Sequence, residues 1–104
     1  MKILITGASG NIGLNITEYL LKNHEVVATD INLEPLTKKF LNFNNIIIQK
    51  LDITDQESCH HLVNDNFDWV IHLGGIPHPD SSFEELLELN IRGTYNILDS
   101  LVGN

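Results

Sequence analysis

At 104 residues, 42% of them hydrophobic, the chain has room for one domain with a real core. A formal net charge of −8 argues against nucleic acid or an anionic membrane as the main partner. One cysteine, Cys59, excludes an internal disulfide framework and fits a reducing, cytoplasmic compartment.

Apolar residues follow Lys2, but Thr6-Gly7-Ala8-Ser9-Gly10-Asn11 interrupts them too early for a signal peptide. Lys2 to Thr6 reads as a short buried strand. Asn11 to Asn23 reads as a helix whose apolar face is Ile12, Ile16, Tyr19 and Leu20. Glu25 to Thr29 is the second strand, followed by Asp30. Glu34 to Phe40 is a short helix with Pro35 tolerated in its first turn. Ile46-Ile47-Ile48 marks a third strand that ends near Lys50. Asp55 to Asn64 is a third helix, with Thr54 or Asp55 placed to cap it. Trp69 to Leu73 is a fourth strand, and a long helix from about Ser82 to Leu101 precedes Gly103. Continuous β-branched strands alternating with helices predict an α/β fold with a parallel sheet covered on both faces. Right-handed crossovers set the spatial strand order at 3-2-1-4, the first half of a doubly wound sheet.

The segment between the first strand and first helix reads T-G-A-S-G-N-I-G, with Gly7, Gly10 and Gly13 at three-residue intervals. This is the placement a dinucleotide pyrophosphate needs. One glycine makes the tight turn, a second lets the main chain approach the phosphates, and a third lets helix and strand pack closely. The helix N-terminus offers N–H groups and a positive dipole end to the anion. Asp30 ends the second strand, 20 positions after Gly10. A carboxylate there accepts hydrogen bonds from both hydroxyls of an adenosine ribose and repels a 2′-phosphate, which favours NAD over NADP. An ordinary turn aspartate is the alternative. Asp52 emerges at the carboxyl end of the third strand, where its side chain can accept from an adenine amino group and Ile53 can cover the ring. Either Asp52 or Asp55 can instead cap the next helix.

These residues resemble the extended short-chain dehydrogenase/reductase family, the NAD-dependent nucleotide-sugar epimerases and dehydratases. Leu51-Asp52-Ile53-Thr54-Asp55 is similar to the family's L-D-x-x-D segment, whose first acid lies by the adenine. His72-Leu73-Gly74-Gly75 matches its H-x-A-[AG] element, with glycines where ribose and phosphates cross the strand ends; a plain turn is the alternative. Asn90-Ile91-Arg92-Gly93-Thr94-Tyr95-Asn96 is similar to its N-x-x-G-T-x-N signature. The Gly-Gly pair, with Phe83-Glu84 and Leu86-Leu87, resembles a uronate-dehydrogenase-like branch. The resemblance implies a partial Rossmann-type sheet and assigns the cofactor to Gly7, Ser9, Gly10, Asn11, Ile12, Gly13, Asp30, Asp52, Ile53, Leu73, Gly74, Gly75 and Asn90. It also implies a sugar or nucleotide-sugar substrate in a full-length context.

Phe83, Leu87, Asn90, Thr94, Ile97 and Leu101 alternate by four and three, so they are expected on one buried face of the fourth helix. Asn90 must then find partners, either as a structural group or, by resemblance, as a brace near the nicotinamide. Leu86, Leu89 and Gly93 form the other flank, and relatives use this helix in a homodimer interface. Cys59-His60-His61 looks metal-like, but adjacent helical residues project about 100° apart, and a solvated helix surface is expected. His78 sits in a proline-flanked loop on the substrate side.

Family chemistry uses a Tyr-x-x-x-Lys pair as acid and base. Tyr19 is followed at that distance by Asn23, and Tyr95 by Asp99. The chain is therefore expected to be the N-terminal portion of an NAD(P)-binding domain, without catalytic or substrate-binding parts and inactive alone. A non-catalytic NAD-sensing or partner-binding module is the alternative.

Overall fold

The computed structural model describes residues 1–63, 66–74, 82, 84 and 87–102, with the backbone alone at 87–89 and 102. Along the chain run β1 (Lys2–Thr6), α1 (Asn11–Leu20), β2 (Glu25–Asp30), α2 (Glu34–Lys39), β3 (Ile46–Lys50), α3 (Gln56–Val63) and β4 (Trp69–His72). A π-helical segment, Leu87–Arg92, leads into α4 (Gly93–Val102). By packing, the chain divides into two compact units, Met1–Leu51 with Asn66–Leu73, and Asp52–Asp65 with Gly74–Asn104.

The first unit holds the sheet. Its strands are parallel in the order β3-β2-β1-β4, as the alternation of elements predicts. Register explains the core. Ile3 and Ile5 of β1 pair with Val26 and Ala28 of β2, so the period-two side chains of both strands point to one face. There they pack with Ala8, Leu21, Leu36 and Phe40, all buried. The α1 face that meets this core is Gly13, Leu14, Ile16, Thr17 and Leu20, continued by Leu21. Ile12 and Tyr19, expected on that face, are each 68% exposed. They lie outside the arc that Gly13 and Thr17 define, because the close approach at Gly13 sets the helix rotation. α2 begins with Glu34 and Pro35, where a missing N–H costs nothing, and buries Leu36. β3 departs from the expected continuous burial: Ile46 and Ile48 join the core while Ile47 is 58% exposed, the alternation of an outer strand.

The second unit packs α3 against α4. Cys59, Leu62 and Val63 of α3 are buried, as are Gly93, Asn96, Ile97 and Ser100 of α4. A Cβ on Gly93 would come within 2.5 Å of Ile53 Cδ1, so the first turn of α4 lies directly on that side chain. Asn96 Nδ2 donates to the Ile53 carbonyl at 2.9 Å. This corrects three expectations. The fourth helix is not uniform, because residues 87–92 are π-helical and carry an i→i+5 pattern that breaks the 3.6-residue period. Asn90 and Leu101 are exposed, and the buried polar groups of α4 are Asn96 and Ser100. Gly93, expected on the open flank, is buried. Gly75, His78, Phe83, Leu86 and Gly103 lie outside the described residues.

Candidate dinucleotide site

In the first unit, the turn between β1 and α1 is built by three glycines acting differently. Gly7 has φ 69°, a left-handed backbone that only glycine adopts readily. Gly13 is a packing requirement, since a Cβ would come within 2.6 Å of both Ala8 Cα and Gly7 O. Gly10 needs neither explanation. Its φ is −74°, and among the described residues a Cβ there would meet only Gly7 O, at 3.8 Å. The bare backbone at Gly10 therefore faces open space. Among the described residues no side chain caps α1 and no partner is recorded for the first-turn amides of Asn11, Ile12 and Gly13, which helix geometry leaves without intrahelical acceptors. Asn11, Ile12 and Gly10 are exposed and Ser9 is half-buried. The chemistry this turn supports is the binding of an anion by backbone N–H groups and a helix dipole.

Beside the turn, Ala8 N–H donates to Thr29 O at 3.0 Å, and Ser9 N–H donates to Asp30 Oδ2 at 3.0 Å. Ile31 N–H donates to Asp30 Oδ1 at 2.7 Å, so each carboxylate oxygen is held by one backbone donor and keeps a second acceptor direction. Ser9 Oγ donates to the Asn32 carbonyl, and Asn32 Oδ1 in turn accepts from Glu34 N–H at 3.2 Å at the start of α2. Lys38 Nζ lies 2.8 Å from Glu34 and Lys39 Nζ lies 3.6 Å from Glu18, while the exposed Lys50 stands opposite Asp30 in the β2–β3 register. The Asp30 carboxylate thus keeps acceptor capacity for further hydrogen-bond donors.

At the end of β4, Thr6 Oγ1 hydrogen-bonds His72 Nδ1, and Leu73 N–H donates to Thr6 O at 3.0 Å and to Thr6 Oγ1 at 3.2 Å. Burial pushes the His72 imidazole below its ordinary value, which favours the neutral ring. This pair ties the residue before Gly7 to the β4 exit. It was not legible in the sequence beyond the strand-end position of His72. Leu73 packs against the core and Gly74 is half-buried.

The remaining sequence candidates lie in the second unit. Asp52 is exposed, and its Oδ1 accepts from Thr54 N–H at 2.9 Å and from Thr54 Oγ1 at 2.6 Å. Asp55 caps α3, accepting from Ser58 Oγ at 2.7 Å and Ser58 N–H at 3.3 Å. The Ser58 hydroxyl, then the Ser58 amide, hold the Asp55 carboxyl below its ordinary range. Ile53 is buried at 6%. Asn90 is exposed in the π-helical segment, not enclosed among apolar side chains. Cys59 is buried, and burial followed by the charges of Asp55 and Asp52 pushes its thiol up to about 11. His60 Nε2 lies 2.9 Å from Asp99 Oδ2, an α3–α4 contact that sequence reading missed, and His61 is exposed.

The model of the NAD-dependent epimerase/dehydratase family matches residues 3–103. The chain belongs to that family. It is 31% identical over 99 residues to an L-arabinose 1-dehydrogenase (NAD(P)(+)) of Haloferax volcanii, covering 95% of this chain and 35% of that protein. It is 38% identical over 104 residues to a UDP-N-acetyl-alpha-D-glucosaminuronate decarboxylase of Bacillus cytotoxicus, covering 95% of this chain and 32% of that protein. Among solved structures it resembles UDP-glucuronic acid 4-epimerase from Bacillus cereus in complex with NAD, with 31% identity and a TM-score of 0.81, over 96% of this chain and 35% of that one. The chain thus spans about a third of the length of the curated relatives it matches. No helix among the described residues is long and apolar enough to cross a membrane.

Proposed function

We propose that the chain binds NAD, with its diphosphate on the Gly7–Gly13 turn and its adenosine ribose on Asp30, and that it prefers NAD to NADP. One observation carries the reading: a bare Gly10 backbone and an uncapped helix start stand beside a carboxylate already held by Ser9 and Ile31. Asn11, Ile12 and Gly13 would give amides to the diphosphate. Asp30 would accept from the ribose hydroxyls and repel a 2′-phosphate. Asp52, whose Oδ2 has no described bond, is proposed at the adenine, and the family motif adds Ile53. Leu73, Gly74, Gly75 and Asn90 are proposed along the cofactor on the same resemblance. Bound NAD supplies a hydride acceptor.

For the whole protein we propose an oxidoreductase of a sugar or nucleotide-sugar, the substrate class in the names of its relatives. The 104 residues alone are proposed to be inactive, because neither Tyr19 nor Tyr95 has a lysine four positions on. That same feature favours a second reading, NAD sensing without turnover. A homodimer through the fourth helix is supported by Tyr95 and Leu98 of α4, 53% and 57% exposed, and by Ile91 of the π-helical segment, 60% exposed. A cytoplasmic location is part of the proposal.

Thermal melting with each cofactor tests the reading. NAD is expected to raise Tm more than NADP does, because a ligand that binds only the folded state stabilises it. Asp30→Ala is expected to narrow the gap. Equal shifts in the unaltered chain contradict the role given to Asp30.

A further inference from the structure

Ser9 stands in the middle of the phosphate turn, yet neither of its donors faces the place an anion would occupy. Its N–H goes to Asp30 Oδ2, and its hydroxyl goes to the Asn32 carbonyl. The neighbouring Ala8 amide likewise reaches back to Thr29 O. Three successive contacts therefore stitch the turn to the exit of β2, on both sides of Asp30. The hydroxyl bond has a particular geometry: it grips the backbone two residues beyond the carboxylate. With Ile31 N–H on Oδ1, it fixes the loop that carries the acid before any ligand arrives. Pre-set acceptors lose less freedom on binding than mobile ones.

We infer that Ser9 is a positioning residue for cofactor discrimination: its hydroxyl clamps the Asp30–Asn32 loop so that the carboxylate is aimed at ribose hydroxyls and cannot turn away from a 2′-phosphate. The inference rests on the NAD reading above and adds a residue that acts through Asp30. Releasing the clamp has opposite consequences for the two cofactors. NAD loses a pre-aimed acceptor pair. NADP loses part of a repulsion, since the freed loop can swing its acid aside. A merely structural turn residue would change both affinities together.

Calorimetric titration of the chain with NAD and with NADP separates these cases. Ser9→Ala is expected to weaken NAD by roughly two- to tenfold, the worth of one neutral hydrogen bond, and to leave NADP within about twofold or tighter. Ser9→Gly, which also lacks the hydroxyl, is expected to narrow the NAD/NADP ratio in the same sense. Ser9→Thr keeps the hydroxyl and is expected to restore the ratio. Asn32→Ala keeps the accepting carbonyl but loses the Glu34 contact, so it is expected to lower Tm without moving the ratio. If the unaltered chain binds NAD but S9A and Ser9→Gly weaken both cofactors equally, or neither, the inference about Ser9 is overturned alone. If the unaltered chain binds neither cofactor, the NAD reading falls and the inference falls with it.

Discussion

The three glycines of the turn share a residue type but not a reason. Gly13 is fixed by the fold, Gly7 by its backbone angle, and Gly10 by neither. Gly13→Ala is expected to destabilise the chain by about 1–3 kcal/mol, the cost of forcing a methyl into a packed contact. Gly10→Ala is expected to change stability by less than about 0.5 kcal/mol, as at other open positions, and still weaken NAD. Urea melts of both variants, with NAD titrations, check this; a Gly10→Ala as unstable as Gly13→Ala contradicts it. Cys59, buried with its thiol raised to about 11, holds almost no thiolate at pH 8 and is expected to resist alkylation until the chain is unfolded. The glycines and Asp30 were legible in the sequence because their positions between a strand and a helix carry the chemistry. The Ser9–Asn32 bond was not, because its acceptor is a backbone carbonyl in a separate loop and no side-chain pattern encodes it.

Elements were legible wherever their period was unbroken. All four strands and the first three helices stand where alternation and capping place them, and Asp55 caps α3 as expected. The fourth helix failed at one point. Projecting residues 83–101 on a regular helix put Asn90 inside, but the π-helical segment shifts the register, and the buried face of α4 becomes Gly93, Asn96, Ile97 and Ser100. Asn96→Leu is expected to cost about 1–3 kcal/mol, since it leaves the buried Ile53 carbonyl only the weak Cys59 thiol contact at 3.6 Å. The α3 cap gives a pH dependence with a definite sign. The Asp55 carboxyl is held below its ordinary value of 3.8, so its contribution is complete above that pH and is lost as pH falls through the lowered value. Urea midpoints of the unaltered chain and of Asp55→Asn are expected to differ at pH 6 and to converge in strong acid. A gap that widened toward acid would contradict the assignment.

Among the described residues, β3 and β4 are the outer strands of a four-stranded sheet. Ile47 is 58% exposed and Trp69, the one tryptophan, is 60% exposed on these strands. Exposed strand edges with apolar side chains invite pairing. The Trp69 emission is expected to shift to the blue as concentration rises, with a matching increase in sedimentation coefficient. A constant spectrum over the range in which the chain self-associates would place the contact away from β4. The family and the sheet order were legible in the sequence because four ordered motifs sit at the strand ends, whereas the substrate was not: the chain spans only about a third of its relatives.

Backbone amides report directly where NAD sits. In a titration of the ¹⁵N-labelled chain with NAD, saturable shifts are expected at Gly7, Ser9, Gly10, Asn11, Ile12 and Gly13 and at Asp30 and Ile31. Amides that stay unmoved at saturating NAD, or that move only at other strand ends, would contradict the account.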